Sequence, residues 1–366
     1  MAGVYISYPF CNQKCSFCNF ASGVSSADAM ARYELTLLSQ IKAKAWPWLP
    51  ETLYFGGGTP SLMPLPFLRE MTASIPAENR AEVTMEAAPG TLTAQNVRAF
   101  RECGVNRVSL GVQSFASAEL RQTGRRHTAE SVADDVALLR ENGISNINLD
   151  LIAGLPEQTL ASWQHSLDWI ERLAPPHVSV YIFEVDEDSR LGKELLLGGV
   201  RYGAARVPEN DLVADLYQNA VERLASMGIE RYEISNFARP GCASIHNLKY
   251  WRLEPYLGFG LDAHSFDGQG RWSTADSLDE YCENALVTPA FTPTDAGEEH
   301  FFVGLRLSGG IEPTPEEWSR FAAPISKWVA AGFLLRESSR LRLAPHAVLL
   351  SNEIFADFLN PEPVHA

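Results

Sequence analysis

The chain has 366 residues, 46% hydrophobic and 20% charged, a length and composition that allow one large folded domain and a smaller one. Acidic residues number 45 and basic residues 30, so the net charge is −15. Such a chain repels nucleic-acid phosphates, and no basic run offsets this, so we expect no nucleic-acid partner.

Six short runs rich in Val, Ile, Leu and aromatic residues predict strands in the first half of the chain. They are Val4–Ser7, Thr52–Phe55, Glu82–Ala87, Arg107–Gly111, Asn146–Ile152 and Val178–Phe183. Segments with helical periodicity lie between them, namely Ala27–Ala45, Ala94–Cys103, Ala129–Glu141 and Leu160–Leu173. Strand–helix–strand order predicts a parallel sheet, and six units are too few for a closed eightfold barrel. We therefore predict an α/β fold built on a partial (β/α)6 barrel.

The regular alternation of predicted strands and helices ends after about residue 200. The predicted elements there are a helix at Asp211–Met227, a strand at Glu230–Phe237, helices at Asp295–Leu307, Thr314–Phe321 and Pro324–Ala331, and a hairpin of Phe333–Arg336 with Leu341–Leu343. Three helices followed by a hairpin predict a small winged-helix-like domain. We assign residues 1–200 to the barrel, 201–290 to a barrel extension and connecting region, and 291–366 to a C-terminal helical domain.

The N-terminus does not have the pattern of a secretory signal, because Cys11 and the polar run after it interrupt the apolar segment. No stretch approaches about 18 apolar residues, so we expect no transmembrane segment. The expected compartment is the cytoplasm, and peripheral contact with a membrane stays open.

Three of the six cysteines, Cys11, Cys15 and Cys18, follow the first predicted strand with C-x3-C-x2-C spacing. A zinc site normally takes four protein ligands, and no nearby histidine completes one. Iron–sulfur clusters take thiolate ligands, and three thiolates leave one iron of a [4Fe–4S] cluster open for a small molecule. A zinc site with one remote ligand and a loop of unligated buried cysteines are the alternatives.

Glycines and polar side chains follow later strands. The run Gly56–Gly58 with Thr59 ends the second strand, and glycine lets the backbone approach a ligand closely. It lacks the Lys-Ser/Thr pair of a phosphate loop, so triphosphate binding is not expected. Glu86, Gln113 and Asp150 lie at or just past the ends of other strands, where parallel strands place their ligands.

On these linked motifs the chain resembles the radical S-adenosylmethionine (SAM) superfamily. Within it, the chain resembles the HemW-type haem chaperones and the related oxygen-independent coproporphyrinogen III oxidases. The resemblance implies that Cys11, Cys15 and Cys18 hold a [4Fe–4S] cluster whose open iron chelates SAM. It also implies a set of SAM-binding positions, which are Tyr5, Phe17, Gly57, Gly58, Thr59, Glu86, Gln113, Arg125 and Asp150.

Two features favour the chaperones within this resemblance. The oxidases have a further cysteine two positions after the third ligand, where this chain has Phe20. The chaperones also have an H-N-x-x-Y-W motif, which matches the run from His246 to Trp251. The resemblance therefore implies binding of haem and its transfer to acceptor proteins, including acceptors at a membrane. An oxidase-like enzyme of porphyrin biosynthesis stays the alternative, and whether SAM is cleaved stays open.

Two histidines are candidate haem ligands, because a neutral imidazole is a common axial ligand of haem iron. His246 is the first, and Tyr250 and Trp251 beside it have rings that stack on a porphyrin. His264 is the second. The alternative interpretation is that His246 is hydrogen-bonded in a loop and that the two aromatic rings belong to the core. One departure from the resemblance is Ser7, where the family commonly has histidine.

Overall fold

The computed structural model describes residues 2–184, 186–187 and 189–359. Six parallel strands form its centre and neighbour one another in chain order. They are β1 (Ala2–Tyr8), β2 (Pro50–Gly57), β3 (Glu82–Ala87), β4 (Arg107–Gln113), β5 (Asn146–Ala153) and β6 (His177–Ile182). The register pairs Val4 with Leu53 and Val108 with Ile147. The predicted α/β fold with six parallel strands is confirmed.

Helices connect these strands and cover the sheet. They are α1 (Ala27–Ala43), α2 (Leu65–Ser74), α3 (Ala94–Glu102), α4 (Ser117–Gln122), α5 (Ala129–Glu141) and α6 (Leu160–Leu173). Capping boxes begin three of them, at Thr93, Thr128 and Thr159, and satisfy N–H groups that a helix start leaves without partners. Apolar side chains such as Phe100 and Leu139 are fully buried against the sheet. The predictions for α1, α3, α5 and α6 are confirmed.

The middle of the chain adds strands to both edges of this sheet. Next to β6 lies an antiparallel hairpin of β8 (Asn236–Ala238) and β7 (Glu230–Arg231). Next to β1 lie, in spatial order, β9 (Tyr256–Phe259), β10 (His264–Phe266), β11 (Gly270–Ser273) and β12 (Thr292–Pro293). The accompanying helices are α7 (Arg190–Leu197), α8 (Asn210–Ser226), α9 (Ile245–Trp251) and α10 (Leu278–Asn284).

The predicted single strand Glu230–Phe237 is wrong, because the chain reverses direction within it. The backbone N–H of Tyr232 donates to the carbonyl of Asn236 over 3.1 Å, and the Asn236 amide donates to the buried Glu233 carboxylate. These bonds close a turn inside the apolar run. The predicted helix at Asp211–Met227 is confirmed as α8.

The C-terminal part consists of helices around a hairpin. The elements are α11 (Ala296–Gly304), α12 (Pro315–Arg320), α13 (Ala322–Ala330), β13 (Leu334–Glu337), β14 (Arg340–Leu343) and α14 (Ser351–Ala356). The rings of Phe301, Phe321 and Phe358 form its core, with Phe301 stacked on Phe358 at 4.6 Å. Three helices precede the hairpin, as predicted. The domain boundaries at residues 200 and 290 stay predictions.

No helix among the described residues combines the length and the apolar composition that a bilayer span requires.

The carboxylate of Glu82, at the start of β3, ties α9 to the sheet. It accepts from the backbone N–H groups of Ile245 (2.9 Å) and His246 (3.0 Å) and from the Ser244 hydroxyl (3.0 Å). The Arg107 guanidinium lies 4.0 Å away, and both charged side chains are buried. A buried carboxylate is tolerated only when its oxygens are hydrogen-bonded and its charge is balanced. Glu82 therefore fixes where α9 begins.

Replacing Glu82 with Ala removes the shared acceptor of three donors and leaves Arg107 buried without its counter-charge. We expect the free energy of unfolding to fall by about 3 kcal/mol. Urea unfolding followed by circular dichroism measures this. The exposed Glu78, replaced with Ala, is the control and should change stability by less than about 0.5 kcal/mol. A Glu82→Ala protein as stable as the wild type would contradict the assignment.

Candidate functional site

The loop after β1 carries the three clustered cysteines, and backbone hydrogen bonds close it on itself. The N–H of Cys11 donates to the carbonyl of Gly23 (2.9 Å), and the Gly23 N–H donates to the carbonyl of Pro9 (2.8 Å). At its outer side, Leu191 of α7 donates its N–H to the Ser16 carbonyl (2.9 Å). We call residues 11–22 the cysteine loop. It lies over the carboxyl ends of the parallel strands.

The three cysteines line one cavity of about 610 Å³, which we call the cysteine cavity. Burial raises the pKa of the Cys11 and Cys15 thiols, although the Thr59 hydroxyl donates to the Cys11 Sγ and the Arg125 charge favours the Cys15 thiolate. Thiols with raised pKa values become thiolates when a metal centre supplies positive charge. The cavity is therefore suited to a thiolate-bound metal centre.

The arrangement bears on the kind of metal centre. Within the described ranges, no group of three Cys, His, Asp or Glu side chains is arranged to hold a single metal ion. A zinc site requires its ligands to converge on one ion. In a cluster each thiolate binds a different iron, so the thiolates stand farther apart. The three thiols of the cysteine cavity are the donor set that a [4Fe–4S] cluster with one open iron takes.

The glycine run brings the end of β2 against the cysteine loop. A Cβ on Gly58 would lie 2.7 Å from the carbonyl carbon of Pro9, so no other residue fits. Gly57 has a backbone φ of 104°, a value that residues with a side chain rarely adopt. Thr59 follows and reaches Cys11 with its hydroxyl. Gly57, Gly58 and Thr59 all line the cysteine cavity.

The predicted polar residues at strand ends meet in the same cavity, together with Arg125. Glu86 accepts from the Tyr54 hydroxyl (2.8 Å). Asp150 accepts from the Ser109 hydroxyl (3.1 Å) and from the side-chain amide of Asn148 (2.7 Å). The parallel sheet brings these residues together from three strands, although Glu86 and Asp150 are 64 positions apart in the sequence.

The two carboxyl groups have unusual acidities. Burial raises the pKa of Glu86 to about 7, and the neighbouring Asp150 adds to this. Burial also raises the pKa of Asp150, although hydrogen bonds from its neighbours oppose the shift. Raised carboxyl pKa values in a cleft are typical of ligand-binding sites.

Several buried polar atoms along this cavity lack a partner within the described part of the chain. They are the Gln113 Oε1, the Arg125 Nε and the His127 Nε2. Unsatisfied buried polar atoms cost free energy, which a bound polar ligand recovers. Burial and the Arg125 charge lower the pKa of His127 to about 4, so its imidazole is neutral. The sequence analysis missed His127, because no motif distinguishes it.

The two aromatic residues of the predicted SAM set lie apart from each other. Phe17 lines the cysteine cavity and packs edge-on against Phe183. Tyr5 lines a second cavity of about 550 Å³ and stacks on Tyr54 at 6.0 Å. The second cavity, which we call the aromatic cavity, adjoins the first, since Gly57, Phe20 and Ser22 line both.

The aromatic cavity has mainly apolar walls with a few polar groups. The apolar walls come from the C-terminal part and the middle of the chain, with Tyr250, Trp251, Tyr256, Leu261, Phe302 and Val303. Its polar groups include His264, Arg271 and Glu299. The side chain of His264 is exposed, and Arg271 is paired with Glu299 at 2.6 Å. Such a cavity suits a large, flat, mostly apolar ligand with a polar edge.

The structure places the two candidate haem ligands in very different surroundings. His246 lies on α9, not in a loop, and is 1% exposed. Its Nδ1 is hydrogen-bonded to the Thr52 hydroxyl and its Nε2 to the Tyr250 hydroxyl, both at 2.8 Å. Burial, and secondarily the Lys249 charge, lower its pKa to about 3. In this conformation His246 therefore has no free nitrogen, whereas His264 stands open at the aromatic cavity.

Comparisons with known proteins place this geometry in a family. The model of the Radical SAM superfamily matches residues 5–170. The Heme chaperone HemW of Bacillus subtilis is 31% identical over 98% of this chain and 99% of its own length. The Heme chaperone HemW of Escherichia coli is 34% identical over 71% of this chain and 69% of that protein.

A solved structure agrees with the fold. Coproporphyrinogen III oxidase (HemN) from Escherichia coli, a radical SAM enzyme, superposes with a TM-score of 0.84 at 20% identity. The match covers 98% of this chain and 89% of that one. At this identity the likeness shows the fold, and it confirms the predicted partial barrel with its C-terminal helical domain.

The identity to these relatives shows to which family the chain belongs. Radical SAM proteins have a [4Fe–4S] cluster and SAM as their cofactors. An identity above 30% along nearly the full length of a relative indicates that the whole chain, and not only one motif, shares ancestry with it. The chain belongs to the HemW-type family within the radical SAM superfamily.

Proposed function

We propose that this chain is a haem chaperone that holds a [4Fe–4S] cluster and SAM in the cysteine cavity and haem in the aromatic cavity. The observation that carries the proposal is that the two cavities adjoin at Gly57, Phe20 and Ser22. One cavity has thiols and unsatisfied polar atoms, and the other has aromatic walls and an open histidine. Relatives named Heme chaperone HemW support the role in haem transfer.

In the proposed site, Cys11, Cys15 and Cys18 bind three irons and leave the fourth to SAM. A bound cluster with SAM supplies one-electron reductive cleavage of the sulfonium. The protein's own residues bind and orient. Thr59 donates to a cluster thiolate, and the Arg125 charge stabilises another. These contacts lower the cost of holding anionic sulfur in a buried place.

The polar residues of the cysteine cavity bind SAM in this proposal. Arg125 and Gln113 line the cavity and each has a buried side-chain atom without a partner among the described residues, and Asp150 and Glu86 offer carboxylate oxygens to hydroxyl or amino groups. Phe17 provides an apolar wall, and the glycines Gly57 and Gly58 let SAM approach the backbone. Tyr5 acts from the aromatic cavity through Tyr54, which donates to Glu86.

Haem fits the aromatic cavity on chemical grounds. Tyr250 and Trp251 offer rings to the porphyrin, and the walls around them are mainly apolar. His264 is the ligand that we favour for the iron, because its ring is exposed there. His246 acts through Tyr250, whose hydroxyl it holds.

Haem-acceptor proteins are the partners in this proposal, and acceptors at a membrane are among them. The described cysteines form no disulfide, which fits a reducing compartment such as the cytoplasm. Nucleic acid is not a partner, given a net charge of −15.

Replacing Cys15 with Ala removes one proposed iron ligand. After anaerobic reconstitution we expect the variant to lose most of its iron and labile sulfide, together with its visible absorption. Iron and sulfide assays measure this. Cys242, half-buried and outside the cysteine cavity, is the matched control and should keep the cluster when replaced with Ala. Wild-type protein that binds zinc or no metal would contradict the proposal.

The affinity for SAM should depend on pH through Glu86. Burial raises the pKa of this carboxyl to about 7, so it is mostly protonated at about pH 6 and mostly ionised at about pH 8. The sulfonium and hydroxyl groups of SAM favour the ionised form. We therefore expect affinity to rise about tenfold between these pH values. Equilibrium dialysis with labelled SAM measures it on cluster-loaded protein.

The control for this pH dependence is Glu86→Gln, which keeps the shape of the side chain and cannot ionise. Its affinity for SAM should be low and flat with pH. An equal slope in the variant would assign the titration to another group, such as Asp150, whose pKa is also raised.

Replacing His264 with Ala should weaken haem binding by about tenfold, or about 1.4 kcal/mol, and shift the Soret band. Wild-type protein should bind about one equivalent of haem in an absorbance titration. His165 is exposed on α6, and its replacement with Ala is the matched control. His246→Ala should lower stability instead, since Thr52 and Tyr250 lose their shared partner.

Two results would contradict this assignment. Unchanged haem binding in His264→Ala, with its loss in a folded His246→Ala protein, would exchange the two roles. No haem binding by the wild type, together with release of 5′-deoxyadenosine during turnover of coproporphyrinogen III, would favour the oxidase alternative over the chaperone.

A further inference from the structure

The loop between α4 and α5, residues 123–128, is attached to the cysteine cavity at two points. The N–H of Ser16 in the cysteine loop donates to the carbonyl of Thr123 over 3.2 Å. The Arg125 guanidinium donates to the carbonyl of Gly111 on β4 over 3.1 Å. His127 follows two positions after Arg125 and lines the same cavity. These bonds hold the loop between the cysteine loop and the end of β4.

The protonation state of His127 follows from its surroundings. Burial and the Arg125 charge lower its pKa to about 4, so the imidazole is neutral and has one N–H. The ring hydrogen-bonds to the backbone carbonyls of Val112 and Ser114, and these bonds oppose the shift. A carbonyl only accepts, so the ring N–H donates there. Because Nε2 has no partner among the described residues, that N–H is on Nδ1, and Nε2 has a buried lone pair.

The protein itself, as far as it is described, supplies no donor to this lone pair. Arg125 is the cation that acts on the ring, but its own Nε is likewise without a partner. The Oε1 of Gln113, which lies between Val112 and Ser114 in the chain, is a second buried acceptor without a donor. Two such acceptors beside one end of β4 cost free energy unless a ligand brings donors to them.

The proposed ligand of the cysteine cavity has suitable donors. In the proposed site the open iron takes the amino and carboxylate groups of SAM. The donors that remain are the ribose hydroxyls and the adenine amino group, and all of them are neutral. A neutral imidazole accepts from such a group without adding charge to a buried place. A carboxylate or phosphate ion has no proton to offer to Nε2.

We propose that His127 is a positioning residue for SAM, and that its Nε2 accepts a hydrogen bond from the nucleoside half, either from a ribose hydroxyl or from the adenine amino group. The inference rests on the proposed function, because it requires SAM in the cysteine cavity. It adds an acceptor on the α4–α5 loop to the carboxylates of Glu86 and Asp150 at the strand ends.

The test measures the affinity for SAM of reconstituted wild-type protein, His127→Leu and His127→Gln by anaerobic equilibrium dialysis. Leucine removes the acceptor, so we expect the dissociation constant to rise about tenfold. The amide oxygen of glutamine reaches about as far as Nε2, so His127→Gln should stay within about threefold of the wild type. His165→Leu, exposed on α6, is the matched control and should bind SAM as the wild type does.

Analogues of SAM identify which donor His127 binds. S-inosylmethionine has a carbonyl in place of the adenine amino group, and the 2′-deoxy and 3′-deoxy analogues each lack one ribose hydroxyl. For the analogue without the donor, His127→Leu should cause no further loss of affinity, whereas the loss of about tenfold should persist for the others. Should His127→Leu not fold, His127→Asn replaces it, since its shorter amide does not reach as far as Nε2.

Four results would overturn the proposal. Equal affinity for SAM in the wild type and His127→Leu would remove the role of His127 and leave the proposed function intact. An equal loss in His127→Gln and His127→Leu, or in His127→Leu for SAM and every analogue, would show that packing of the ring matters and not its lone pair. An EPR signal of the reduced, SAM-free cluster that changes in His127→Leu would assign Nε2 to the open iron. A cluster-loaded wild type that does not bind SAM would remove the proposed SAM site as well.

Discussion

The close contact between the end of β2 and the chain leaving β1 determines the geometry of the site. At Gly58 the backbones are so near that a Cβ would lie 2.9 Å from the nitrogen of Phe10. The N–H of Thr59 then donates to the Phe10 carbonyl over 2.9 Å. Because of this contact, the cysteine loop begins directly over the strand ends, and the Thr59 hydroxyl reaches Cys11. A side chain at Gly58 would push the loop away from the cavity.

The parallel sheet positions the other residues of the cysteine cavity. This arrangement buries polar side chains inside the sheet. Asn148 on β5 donates to Ser109, to Ser179 and to Asp150, so a polar layer runs through the interior of the sheet. This layer holds Asp150 in place, yet burial still raises the pKa of its carboxyl. Besides this layer, three side chains of the cavity wall, those of Gln113, Arg125 and His127, each have one buried polar atom without a partner among the described residues.

Much of this arrangement could be predicted from the sequence, because it depends on local patterns. The strands have apolar runs, α3, α5 and α6 have threonine caps, and the polar residues stand at strand ends. The helix α2 escaped prediction because it begins after Pro64 without a side-chain cap. The helix α9 escaped although Ser244 caps it locally, because it has only seven residues and its His246 N–H donates to Glu82, which lies 164 positions away. Long-range contacts of this kind leave no periodic signal.

The aromatic cavity was beyond sequence analysis for the same reason. Its walls come from Tyr5, from the middle of the chain and from Phe302 of α11, and only the folded chain brings these segments together. The motif around His246 was recognisable, but the motif alone does not show whether the imidazole nitrogens are already hydrogen-bonded. That depends on Thr52 of β2, whose hydroxyl is hydrogen-bonded to its Nδ1.

His246 also lies between residues of the two cavities. The Tyr54 hydroxyl donates to Glu86 in the cysteine cavity, and the Tyr54 ring packs on the imidazole of His246 at 5.1 Å. The other side of that imidazole holds the hydroxyl of Tyr250, which lines the aromatic cavity. Contacts among three side chains therefore connect Glu86 of the cysteine cavity with the wall of the aromatic cavity.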